Sequence, residues 1–104
     1  MSIDLEKDLG MTPYGGNIAW ANITAKLADA NTAKLQAALD KAAASGTAAT
    51  FSIEKCFPIG NAAIRVPGGV TLESGGLAYN RPQVLRGHKL LNGGCLMRIA
   101  PSAE

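Results

Sequence analysis

Histidine, paired carboxylates and cysteines are the side chains that most often do chemistry, and this 104-residue chain holds few of them. Its one histidine, His88, stands in RGHKLL between Arg86 and Lys89. Neighbouring cations disfavour a protonated imidazole, and no carboxylate close in sequence could orient the ring as a general base. An exposed or stacking role is the plainer reading. Glu54 and Glu73 could serve as the acid and base of a glycosidase if the strands that carry them were brought into line. The plainer expectation is that both point outward as solubilising charges. Cys56 and Cys95 lie far apart with no CxxC spacing, which argues against a disulfide or metal framework and for burial as small apolar side chains. The glycines at 68, 69, 75 and 76 lack the lysine and spacing of a phosphate loop or dinucleotide fingerprint, so they read as corners. NIT at 22 to 24 has the form of a glycosylation acceptor, but no secretory segment gives it a role. No catalytic set, cofactor motif or metal-ligand pattern emerges, and no cofactor or metal is expected.

Charge is more informative than any single residue. The net charge is only +2, yet residues 1–54 carry four Lys/Arg against six Asp/Glu, and residues 55–104 carry six against two. Within the basic half, Arg81, Arg86 and Lys89 are the candidate contacts for an anionic polymer, although no cluster reaches the density of a basic tract and ordinary solvated surface charge is the plainer reading. The scarcity of aromatics there disfavours a single-stranded nucleic-acid platform. Hydrophobic residues make up 47% of the chain, enough for a core, but many are alanine and aromatics are 5%. Alanine buries little area, so the core of one copy looks thin. The opening MSIDLEKDLG places acids where a signal peptide needs bases and an apolar run, and no stretch is long enough to span a membrane. The expectation is a soluble product, made in a cytoplasm without a signal peptide.

The elements that must position these residues follow from periodicity. Residues 2–9 read as a short helical arm, with Ser2 as N-cap and Gly10 as stop. MTPYGGN is turn chemistry, and residues 18–28 fit either a strand or a helical stripe, with a lean to helix toward the end. Tyr14 and Trp20 are candidate contacts with a neighbouring subunit or a virion. NTAKLQAALDKAAASG spells a helix over 31–46, with Asn31 as N-cap, Gly46 just past the end, and Leu35, Ala38, Leu39 and Ala42 on one apolar face. After Gly46 the period switches to two. Ala49, Phe51 and Ile53 face one way, as do Ile64 with Val66 and Val70 with Leu72. The corner at 67–69 is too short for a helical crossover, which leaves hairpins or a chain turning the corners of a solenoid. Two further apolar runs, around 83–91 and 95–100, are split by Asn92-Gly93-Gly94.

Taken in order, the Asn-Thr start, LQAALDKAAASG, a strand and VPGGVTLESGG resemble the opening of the pectate-lyase-like right-handed parallel β-helix, the fold of many bacteriophage tailspikes and polysaccharide lyases. The likeness covers residues 31–76. Asn31 and Thr32 match the helix start, Leu35, Ala38 and Leu39 its inward face, Phe51 and Ile53 the first buried strand, and Val66 to Leu72 the corner. The Gly-Asp-Gly loop that usually precedes the helix is replaced here by YGGNIAWANITAKLADAN.

The resemblance implies an α+β chain: a helical arm and a capping helix, then the first coils of a right-handed parallel β-helix. A compact small α+β domain is the alternative. It divides the chain into an attachment arm, 1–30, and a cap with initial coils, 31–104. The cap residues would be Asn31, Leu35, Ala38, Leu39 and Gly46. An uncovered first coil has open hydrogen-bonding edges, so the helix would act as its lid. Solenoids need roughly three repeats, and the chain supplies about two, so more coils or a homotrimer should complete it. The implied parent is a virion protein that recognises, and in some members depolymerises, a bacterial surface polysaccharide as a glycosidase or lyase. Other phage tail proteins would be its partners, with no nucleic acid and no membrane. A non-enzymatic attachment or trimerisation module is the second reading. In the first reading this segment would position an enzyme without performing chemistry, and in either no activity is expected from this chain alone.

Overall fold

The computed structural model describes residues 2–13, 25–46, 48–60, 62–87 and 89–98. Tyr14, Trp20, His88 and the NIT stretch lie outside the described residues. The chain is α+β, with one helix and nine strands among the described residues.

Residues 2–9 form no helical arm. Ser2–Asp4 is a strand, β1, lying parallel to a later strand, and a tight turn follows. Asp4 organises that turn in place of Ser2. Its Oδ1 accepts from the Glu6 and Lys7 amides at 2.9 and 2.8 Å, and its carbonyl accepts from Asp8 N. A carboxylate at this position satisfies amides that would otherwise face water, and a helix this short has little other support. Gly10, at φ 73°, ends the turn, and Leu5 and Met11 drop into the core.

The helix α1 runs Ala25–Ser45, starting six residues earlier than the Asn31 start. Asn31 is therefore no N-cap: it lies within the helix and is 1% exposed. The reason is tertiary, because its side chain bonds to other segments instead of to its own helix. The far end agrees with the sequence. Gly46 takes φ 69°, where an L side chain would be strained, and its N–H reaches the Ala43 carbonyl. Leu35 and Leu39 are buried, with Ala38 and Ala42 half-buried beside them.

Then come β2 (Ala49–Ser52), β3 (Cys56–Ile59), β4 (Ile64–Val66) and β5 (Val70–Ser74). Alternation holds: Ala49, Phe51, Ile53, Ile64, Val66, Val70 and Leu72 are all buried. The corner at 67–69 is not a hairpin, since β4 does not pair with β5. Instead the chain makes a circuit through β3 and β4 and returns with β5 parallel to β2, Phe51 beside Leu72. Like side chains thus stack on like.

The remaining strands are β6 (Leu77–Tyr79), β7 (Gln83–Leu85), β8 (Lys89–Leu90) and β9 (Cys95–Arg98). They complete three small sheets, ordered β1-β2-β5-β6, β3-β9-β8 and β4-β7. Pairing is parallel for β1-β2, β2-β5 and β3-β9, and antiparallel for β5-β6, β4-β7 and β8-β9. The antiparallel pairs depart from an uninterrupted run of coils. Phe51 and Leu72 from the first sheet, Phe57 and Leu96 from the second, and Ile64 and Leu85 from the third share one core with Leu35 and Leu39.

Candidate functional site

Two places concentrate polar groups with defined partners. The first is the outer edge of the β2–β3–β4 circuit. β1 covers β2 there as a paired strand. β3 and β4 are edge strands, and side chains of α1 take the place of a neighbour. Asn31 Nδ2 donates to the Pro58 carbonyl at 3.0 Å, and Gly60 N donates to Thr32 Oγ1 at 2.8 Å. Farther along, Gln36 binds the Arg65 backbone twice: Oε1 accepts from N at 2.8 Å and Nε2 donates to O at 2.9 Å. This reproduces with an amide the double bond of a β-bridge. Asn31 also ties in the N-terminal segment, accepting from Thr12 N and donating to Thr12 O, both at 2.9 Å. Pro58 fits here because its carbonyl faces the helix. Its missing N–H lies on the same side, where no strand requires it.

The cap residues inferred from sequence thus divide by role. Leu35, Ala38 and Leu39 pack on the core, while Asn31 holds backbone instead of starting the helix. Gln36, which lies outside the apolar stripe and is not among the cap residues inferred from sequence, covers β4. The available signal was an amide side chain one helical turn beyond Thr32, next to the apolar stripe.

The second place is an excursion from residue 75 to 94, between β5 and β9. Its two ends meet at the base: Asn92 Nδ2 donates to the Gly75 carbonyl at 2.8 Å. There Gly94 lies so close to the Ile53 and Lys55 carbonyl oxygens that a Cβ would collide with both. Cys95 then resumes directly beside Cys56, and the two are joined in a disulfide with Cα atoms 4.3 Å apart. This corrects the expectation of two separately buried thiols. Sequence spacing hid the pairing, because 39 positions are spanned by the circuit and the excursion together.

Glu54 and Glu73 both converge on the base of the excursion. Glu54 accepts from Gly75 N at 3.3 Å, and Glu73 from Gly76 N at 3.3 Å. Both carboxylates are engaged in holding a turn. Near them Lys55 Nζ meets Glu6 at 2.7 Å, and that hydrogen bond, with the attraction of the Glu6 charge, raises the Lys55 pKa.

The excursion encloses an open cleft of about 440 Å³, lined by residues 78–83 and Lys89. Of the three basic candidates, Arg81 and Lys89 come together on its wall. Arg86 does not line it, and the Arg86 carbonyl instead accepts from Arg98 Nη1. Lys89 Nζ stands 5.7 Å from the centre of the Tyr79 ring, within cation–π range. The exposed large hydrophobics Leu77, Val84 and Leu90 are also on the excursion. Among the described residues, no group of three or more His, Cys, Asp or Glu is placed to hold a metal. No described helix is long and apolar enough to cross a membrane. Compared with known proteins, the chain matches no family model, no curated protein and no solved structure.

Proposed function

We propose that the chain is the N-terminal capping segment of a right-handed parallel β-helix of the phage tailspike type, seated ahead of a body that recognises a bacterial surface polysaccharide. The observation that supports this reading most is the one-sided cover of the first circuit. On one flank β2, β3 and β4 meet β1 and the side chains Asn31, Thr32 and Gln36, all supplied by segments that precede the circuit in the chain. On the other flank β2 and β3 meet the parallel strands β5 and β9. An end cap on a stack of coils needs this asymmetry: one side sealed by non-repeating elements, the other continued by the next turn. The antiparallel strands β6, β7 and β8 all belong to the 75–94 excursion, which this reading treats as an insertion in the second coil.

About two coils fall short of the roughly three that a solenoid needs, so neighbouring copies or further coils complete the core, with a homotrimer as the expected assembly. The segment positions a body and performs no hydrolysis. Light scattering on the purified chain tests the assembly: a trimer mass is expected, and a monodisperse monomer overturns it. In parallel, incubation with capsular polysaccharide or O-antigen should release no reducing ends. Release by the chain alone would overturn its non-catalytic role.

A further inference from the structure

We infer that the cleft of the 75–94 excursion binds an acidic sugar unit, with Arg81 and Lys89 holding its carboxylate and the amides of Asn80 and Gln83 meeting its hydroxyls. The choice of a saccharide over other anions rests on the polysaccharide reading above; the anionic character rests on the cleft itself. Residues 75–98 carry Arg81, Arg86, Lys89 and Arg98 and not one acid. The facing element adds none to the wall: Glu73, opposite Ala78 in the sheet, turns its carboxylate to the Gly76 amide. Two cations therefore share a concave surface with no carboxylate among its lining residues.

Size and shape narrow the ligand. About 440 Å³ lies in the range of small-ligand clefts, with room for one or two sugar rings but not for a duplex. A guanidinium fork matches a planar carboxylate in bidentate fashion, while an ammonium adds a movable point charge. Tyr79 is the one aromatic on the wall, and Lys89 already stands over it. A row of stacking rings, which single-stranded nucleic acid requires, is absent from the lining. The cleft sits on an excursion anchored at both ends by Asn92 to Gly75 and by the Cys56–Cys95 disulfide, so its walls are held without a ligand.

Calorimetric titration of the full chain with oligogalacturonate at moderate salt tests this, beside neutral dextran oligomers, inorganic polyphosphate and single-stranded DNA. Oligogalacturonate should bind in preference to all three. Arg81→Ser and Lys89→Gln should each weaken it about tenfold, the loss of one charge-assisted hydrogen bond. Arg86→Gln, which changes the same net charge outside the cleft, should leave affinity within about twofold. Equal losses in all three variants would reduce the interaction to unspecific charge attraction and overturn the site. Equal binding of dextran, or stronger binding of DNA or polyphosphate, would overturn the ligand class. Far-UV circular dichroism of each variant checks that the fold is intact; all three substituted side chains lie outside the core. The assembly mass is read separately, so failure of the cleft and failure of the capping segment give different results.

Discussion

Asn31 joins three parts of the molecule through one buried amide. Asn31→Ala should strand the Pro58 carbonyl and both Thr12 backbone groups, costing about 2–3 kcal/mol in urea unfolding, against about 1 kcal/mol for loss of a simple N-cap. Gln36→Ala should cost less, about 1 kcal/mol, because the Arg65 backbone it releases is exposed and can turn to water. The Lys55–Glu6 pair belongs to this scale too. A lysine whose folded pKa is raised contributes stability that is fully present below its unfolded value and lost as pH rises through the folded one. Any difference in Tm between the parent and Glu6→Gln should therefore be seen at neutral pH and vanish in strong alkali. Both side chains are exposed, so the difference at neutral pH should be small.

Among the elements, the base of the excursion is the tightest junction. Gly94→Ala places a methyl group against two carbonyl oxygens of the 53–55 corner and should lower stability by about 2–4 kcal/mol in thermal melts, with β9 displaced from β3. The disulfide acts at the same junction. It closes a span of 39 positions, so reduction or a paired Cys56→Ser, Cys95→Ser variant should cost about 4 kcal/mol if loop entropy governs. Equal unfolding midpoints with and without reductant would refute that estimate. The helix α1 makes the complementary point. Only Leu35 and Leu39 on its described face are large and fully buried, so apolar area alone would anchor it weakly. Its polar bonds to β3 and β4 set its register on the sheet, and the alanines allow the close approach that those bonds need.

Across the whole molecule, the edges of small sheets decide the architecture. Three short strands in one circuit cannot remain soluble with open backbone on both flanks, and the chain covers one flank from its own N-terminal third. The alternation of Phe51, Ile53, Ile64, Val66, Val70 and Leu72 determined which residues face the core, because a period of two is a local property of extended backbone. Gly46 likewise marked the end of the helix by its own conformational freedom. Partner choice was not local. That β5 returns beside β2 and that Asn31 holds Pro58 instead of its own helix depend on how the β2–β3–β4 circuit closes. That Cys56 meets Cys95 across 39 positions, and that Arg81 joins Lys89 while Arg86 does not, depend on how the 75–94 excursion travels before coming back. Patterning along a chain specifies faces. Only closure in three dimensions specifies neighbours, because a hydrogen bond or disulfide between distant segments requires both ends to arrive at one point.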